Sequence, residues 1–215
     1  LVNKIASEKL FKKEDAANWF NEAISLSQKE AALTFIQPLY RVNSDLYWLE
    51  QCLYLSTELK NETEKKYCVN KLATMDTTRS EKWLKTAYQV SVASNNLAES
   101  LVLISQLATI DPKYLEEYAR LELMVGNYII SSELYMQCFY NTKSHRKKGK
   151  FLLKALRSLQ NGNLLNEVVV LAKKHENLFV RNTKVSSEIM KIYLAAGKLD
   201  SAKNYAAKVL KAKEK

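Results

Sequence analysis

Between residues 14 and 26, Ala16, Trp19, Phe20, Ala23 and Ile24 recur at steps of three and four, which lays one bulky apolar stripe along a helix. A shorter stripe of Val2, Ile5, Leu10 and Phe11 precedes it and reads as the trailing half of a helix pair. After it, Ser27 with Glu30 reads as a capping box for a helix through Ala31, Ala32, Phe35 and Ile36, and Pro38 is expected to end that helix. Asp45 is placed to cap a helix running to about Leu59, and residues 62–75 supply a return helix with Tyr67, Leu72 and Ala73 inward. Residues 80–110 repeat this arrangement, with Asn95-Asn96 in the turn. Asp111-Pro112 opens the next helix, because proline lacks the N–H that a first turn would leave unpaired anyway. That helix is expected to end at Gly126, with a partner through Ile130, Leu134, Tyr135 and Cys138. The last stripes are Ile189, Met190 and Tyr193 before Gly197, and Leu199, Ala202, Tyr205, Ala206, Val209 and Leu210 after it. Lys143, Arg146, Lys147, Lys148 and Lys150 make 143–150 the one strongly charged break, expected as an exposed loop.

Two of these segments repeat each other. Trp48-Leu49 recurs as Trp83-Leu84, Ser56 as Ser91, Asn61 as Asn96, Glu64 as Glu99, and Leu72-Ala73-Thr74-Met75-Asp76 as Leu107-Ala108-Thr109-Ile110-Asp111, each 35 positions later. A period in the mid-thirties marks an array of helical hairpins, none of which can bury its apolar face alone. The first unit is less regular, since Trp19 and Trp48 stand 29 apart. Gly126, Gly162 and Gly197 fall 36 and 35 positions apart, each where a left-handed residue would end one helix and turn the chain back. The expected fold is all-α, an α-solenoid of about five to six stacked antiparallel helix pairs. It forms one domain over 1–215, with units at 14–44, 45–79, 80–111, 112–147, 148–182 and 183–215 after a partial unit at 1–13.

Composition agrees. Four Gly and two Pro in 215 residues are too few turn residues for an all-β fold of this size. No run approaches the roughly 18–20 apolar residues of a membrane span. The chain starts at Leu1 with no basic-then-apolar opening, and is expected to be a piece of a longer protein. Cys52, Cys68 and Cys138 are odd in number and without CxxC spacing, so they are expected as buried thiols. His145 and His175 lack metal-ligand spacing and are expected to be solvated; no phosphate loop, nucleophile elbow or Cys–His pair is present, so no catalysis, cofactor or metal is expected. Glu116-Glu117 reads as a solvated helix face. The net charge of +10 favours an acidic partner without choosing among nucleic acid, anionic polymer and protein.

The Gly197 unit with Ala202 and Val209, and Asn95 with Asp111-Pro112, resemble the tetratricopeptide repeat (TPR). The resemblance implies a right-handed superhelix and a role in protein–protein interaction. Ser100, Ser131 and Glu167 depart from it where the second helix usually carries Ala, which implies looser packing or shifted helices there. The stretch from Lys150 to Asn163, followed by the Gly197 unit, is similar to the periplasmic repeat region of the PelB family of outer-membrane Pel exopolysaccharide export proteins. That likeness implies a periplasmic scaffold for a polysaccharide-modifying enzyme and for polymer on its way to the exporter. A cytoplasmic location stays open.

If the first helix of each unit starts at Leu46, Glu81, Pro112, Lys148 and Thr183, its second and ninth positions should line the inner curve of such a superhelix. Those positions hold Tyr47, Lys82, Lys113, Gly149 and Lys184, then Tyr54, Gln89, Arg120, Leu156 and Lys191. Of these, Tyr47, Tyr54, Lys82, Gln89, Lys113, Arg120, Lys184 and Lys191 are the candidate groove, suited to an anionic peptide or sugar polymer. Two functions follow: a scaffold for a protein partner, or a nucleic-acid- or polyanion-binding repeat protein. The second is disfavoured for nucleic acid because the cations do not interleave with aromatics at one-per-base spacing.

Overall fold

The computed structural model describes residues 1–43 and 45–214. Thirteen α-helices cover them: α1 (Val2–Ser7), α2 (Ala16–Ser25), α3 (Lys29–Asn43), α4 (Leu46–Glu58), α5 (Glu62–Met75), α6 (Ser80–Ala93), α7 (Leu97–Ile110), α8 (Leu115–Met124), α9 (Tyr128–Asn141), α10 (His145–Asn161), α11 (Leu165–His175), α12 (Thr183–Ala195) and α13 (Leu199–Lys213). Short 3-10 turns precede α2, α6, α8 and α12. No strand is present among the described residues. The protein is all-α, built of antiparallel helix pairs as expected.

The chain divides into two compact units, Leu1–Leu107 and Ala108–Lys215. The first packs Phe20, Phe35, Ile36, Tyr40, Leu49, Leu55 and Leu72 into one core. The second packs Leu134, Phe139, Leu152, Leu156, Phe179, Ile189, Tyr193 and Tyr205. Each helix contributes a stripe at three- and four-residue steps, so burying the stripe supplies stability that helices of this length lack in isolation.

The hairpins close by one backbone device. An N–H reaches five residues back at Gln28 to Ala23, Asn61 to Ser56, Asn96 to Ser91, Asn127 to Glu122, Leu164 to Leu159 and Lys198 to Tyr193, at 2.8–3.0 Å. Such a bond needs one left-handed residue before it, and Ser27, Lys60, Asn95, Gly126, Asn163 and Gly197 supply it. Gly162 therefore does not play the part that its register suggested. It lies one residue early, and its role is spatial: a Cβ there would sit 2.6 Å from the Tyr128 ring.

Both boundaries of α3 differ from expectation. Pro38 lies inside α3 rather than ending it. Its missing N–H costs about 3 kcal/mol in a helix interior, but Phe35 and Ile36 before it and Tyr40 after it are fully buried and hold the helix through. Ser27 does not cap α3; it is the left-handed turn residue, and the helix starts at Lys29. By contrast, Asp45 accepts from the Tyr47 N–H as a cap should, at 2.8 Å.

The serines expected to loosen the packing instead mark close helix crossings. Ser91 and Ser100 hydroxyls meet at 2.8 Å, and Ser131 lies 3.0 Å from Ser158 while donating to the Ala119 carbonyl. All four are buried, so each hydroxyl must find a partner, and does. Glu167 is exposed on α11.

Cysteine usage also differs. Cys52 of α4 and Cys68 of α5 are joined as a disulfide, with Cα atoms 6.3 Å apart. A separation of 16 residues hid the pair from a spacing argument, since only the return of α5 along α4 brings them together. Cys138 is the buried free thiol, as expected, and burial pushes its pKa up to about 11.

Asp76 joins α5 to α6. It is 3% exposed and accepts from the Thr78 hydroxyl at 2.6 Å, the Trp83 indole at 2.8 Å and Arg79 Nε at 2.7 Å. The Thr78 and Trp83 donors, with Arg79, hold its carboxyl well below the ordinary aspartate value. A depressed folded pKa gives stability that is complete above the unfolded value of about 3.9 and drains away as pH falls below it. Acid titration followed by tryptophan fluorescence should therefore show destabilisation setting in below about pH 4, and Asp76→Asn should flatten that dependence while lowering stability at neutral pH. An unchanged acid profile in the variant would remove Asp76 from this role.

Candidate binding surfaces

All eight residues of the predicted groove are at least partly exposed. Tyr47 and Tyr54 stand seven residues apart on α4, each 56% exposed, with Tyr47 edge-on to Trp48. On α6, Lys82 lies 4.0 Å from the Trp83 ring centre, and Gln89 follows two turns on. In the second unit much of the predicted charge is already matched locally. Lys113 contacts Asp111 at 2.8 Å, Arg120 is held by both Glu117 oxygens at 2.6 and 2.9 Å, and Lys191 lies 3.9 Å from Glu188. Gly149 and Leu156, which share the same register, are buried, and neither adds a side chain to the predicted groove.

Lys184 belongs to a different constellation. The segment 143–150, expected as a loop, is mostly helix: Ser144 accepts from the Lys147 N–H and α10 begins at His145, three residues before the predicted start. A cleft of about 660 Å³ opens between α10 and α12. Arg146, Lys147, Lys150, Lys154 and Arg157 of α10 and Lys184 of α12 line it, with Ser144, Gly149, Leu153, Asn182 and Val185. Gly149 eases the crossing, since a methyl there would come within 3.2 Å of Val185 and 3.3 Å of the Asn182 amide, and those side chains would have to give by a few tenths of an ångström.

Glu116 of α8 reaches the lysines, its Oε1 accepting from Lys150 at 2.9 Å and from Lys154 at 2.7 Å. Partial burial tends to raise its pKa, but Lys154 and Lys150 hold the carboxyl below the usual glutamate range. Thus Glu116 is not the freely solvated acid the sequence suggested. Arg146, Lys147, Arg157 and Lys184 have no ion-pair or hydrogen-bonded partner for their cationic heads among the described residues. Six cations therefore face one carboxylate. The signal for this surface was present, because Lys147, Lys150, Lys154 and Arg157 follow one another at steps of three, four and three and so share a helix face. Reading the segment as a loop concealed it.

The histidines and cysteines differ in burial and partners. His145 is exposed as expected, with Nε2 2.9 Å from the Leu178 carbonyl oxygen. His175 is buried rather than solvated, packed 4.9 Å from the Phe139 ring centre and 3.4 Å from the Tyr140 hydroxyl; burial, with nearby Lys174, lowers its pKa. It ends α11 and turns inward onto the aromatic core, which a charged flank does not disclose. Cys52, Glu64 and Cys68 are the one group of ligand-type side chains gathered within 4.8 Å among the described residues. The sulfurs are bonded to each other, and the Glu64 carboxylate accepts from the Tyr40 hydroxyl at 2.7 Å and from Arg41. The group ties α3, α4 and α5 together.

Among the described residues no helix is long and apolar enough to cross a membrane. The fold is an array of antiparallel helical hairpins with charged and aromatic side chains on its exposed faces. No family model and no curated protein matches the sequence. Among solved structures it is similar to a tetratricopeptide repeat protein from Parabacteroides merdae, at 13% identity over 93% of this chain and 79% of that one, with a TM-score of 0.43. It is also similar to a thermophilic TPR protein of Thermus thermophilus, at 12% identity over 85% of this chain and 100% of that one, with a TM-score of 0.37.

Proposed function

We propose that the chain is a non-catalytic scaffold that docks a protein partner, acting outside the cytoplasm in an exopolysaccharide export apparatus of the Pel type. The observation that carries the docking role is the cleft between α10 and α12, whose cations are mostly uncompensated by the protein itself. Exposed charge left unpaired in a concavity steers and orients a partner of opposite sign. The non-catalytic reading is supported by the condition of the reactive groups: Cys138 is a buried thiol with a raised pKa, and His175 is enclosed by aromatic rings. The Cys52–Cys68 disulfide supports a periplasmic setting, since such bonds persist in oxidising compartments and are reduced in most cytosols. The partner implied there is a polysaccharide-modifying enzyme.

Affinity purification of the tagged chain from a native envelope extract tests this. Recovery of such an enzyme, or of an outer-membrane assembly component, is the expected result; recovery of neither refutes the export role. The same cations favour a second reading, a polyanion-binding repeat protein. A mixed-sequence oligonucleotide bound with a steep salt slope would select it, and no binding at low salt would remove it.

A further inference from the structure

We infer that the cleft between α10 and α12 receives an acidic segment of a protein partner, a stretch bearing several Asp or Glu carboxylates. The inference rests on the reading of the chain as a protein-docking scaffold and names the chemistry of what it docks. Three observations carry it.

Positive charge is placed where it opposes folding. Arg146, Lys147 and Lys148 fall in the first turn of α10 and Lys184 in the first turn of α12, and neither turn contains an acid. The free N–H groups of a helix start already make that end positive, so cations there are destabilising and acids would be favoured. Lys148 is turned onto the Phe139 ring, 5.3 Å from its centre, but Arg146, Lys147 and Lys184 line the cleft. An arriving carboxylate would meet the field of both helix starts and the side-chain cations together.

The cations on α10 form a continuous row. Lys147, Lys150, Lys154 and Arg157 span three helical turns, so the site is elongated and matches a chain of charges better than a single ion. Glu116 already occupies Lys150 and Lys154 through one oxygen, which shows that a side-chain carboxylate fits this surface.

The rest of the lining selects among polyanions. It offers no aromatic ring on which a base or sugar could stack, whereas Leu153 and Val185 provide apolar wall for the methylenes of acidic side chains, and Ser144 and Asn182 add polar groups. Its volume of about 660 Å³ is within the range that encloses drug-sized ligands.

The test uses the full chain and a fluorescein-labelled peptide containing six consecutive glutamates, followed by fluorescence anisotropy at low salt. The peptide should bind, more weakly as salt rises. The triple variant R146E/K147E/R157E should lose roughly 100-fold in affinity, and K71E/K85E/K203E, with the same change of net charge at exposed sites elsewhere, should stay within about threefold. Circular dichroism checks the fold. R146E/K147E, which puts acids into the first turn of α10, should melt no lower than the parent and still bind weakly, so lost binding cannot be assigned to unfolding. Absence of peptide binding, or equal loss in the two triple variants, overturns the inference. So does an oligonucleotide or a polyuronate that binds more tightly through the same three residues. Continued co-purification of an envelope partner in any of those cases would leave the scaffold reading standing and remove only its acidic-segment form.

Discussion

Replacing both Cys52 and Cys68 by serine should destabilise the unit Leu1–Leu107 by about 3 kcal/mol, the value expected for a loop of about 15 residues closed by a disulfide. The bond joins α4 to α5 across 16 positions, so it restricts the unfolded chain while leaving a hairpin that folds the same way. Both cysteines are fully buried, and each serine must place a hydroxyl where a sulfur was. The hydroxyl introduced by Cys52→Ser has an acceptor available, because Cys52 Sγ lies 3.8 Å from the Glu64 carbonyl oxygen. Comparison of the double alanine variant with the reduced wild-type protein separates the lost cross-link from altered packing. All three tryptophans, Trp19, Trp48 and Trp83, lie in this unit, so urea unfolding followed by their fluorescence reads it directly. In a thermal scan the loss should amount to roughly 10–20 °C for a unit of about 100 residues. If oxidised and reduced proteins unfold at the same urea concentration, the bond does not hold the hairpin together, and the support it lends to an oxidising compartment falls with it.

Much of the helical frame is legible in the sequence because it is written locally. Asp45 before an apolar stripe, the stretch 62–75 and the repeat over 80–110 agree with α4 to α7 to within a residue, since capping and three-to-four periodicity act over one or two turns. Features set by tertiary packing were not legible. Pro38 would stop an isolated helix, yet the burial of Phe35, Ile36 and Tyr40 carries α3 past it. The turn at Gly162 shows the same limit: the left-handed residue is Asn163, and Gly162 is needed because Tyr128 lies against it. For the binding surface, counting positions from a repeat register found exposed side chains but not their partners. The Glu117–Arg120 and Glu188–Lys191 contacts are three-residue neighbours on one helix and visible in the sequence; the first engages Arg120 through both carboxylate oxygens, while the second, at 3.9 Å, leaves Lys191 largely exposed. Of the unpartnered cations, Arg146 and Lys147 lay in the stretch read as a loop, where dense charge obscured a Ser144 cap and a regular helical face, while Arg157 lies further along α10 and Lys184 is brought to them only by the packing of α12 against α10.

Glu176→Ala should cost the unit Ala108–Lys215 roughly 3 kcal/mol, because one side chain there serves two helices at once. Glu176 lies in the turn between α11 and α12. Its Oε2 accepts from the Tyr193 hydroxyl of α12 at 2.5 Å, and its Oε1 accepts from Lys208 of α13 at 2.8 Å. The Tyr205 hydroxyl of α13 adds a bond to the Glu176 backbone oxygen at 3.2 Å, which survives the substitution. Tyr193 is 1% exposed, so removing its acceptor strands a phenol that water cannot reach, a penalty of about 1–3 kcal/mol. Lys208 is 48% exposed and can rehydrate, so its share is small. Burial, with the Glu176 contact, raises the Tyr193 pKa, so the phenol keeps its proton and acts as donor throughout the neutral range. Glu176→Gln keeps an acceptor for Tyr193 and should cost only about 1 kcal/mol, close to the expected effect of Tyr193→Phe. Tyr193→Phe removes the stranded donor, so the double variant E176A/Y193F should be less destabilised than the sum of the singles by about 1 kcal/mol. Circular dichroism melts, with hydrogen exchange at α12 and α13 amides, measure each term. Strict additivity in that cycle would mean that Glu176 and Tyr193 act separately, and the Tyr193 hydroxyl would then not help to hold α12 to the turn before it.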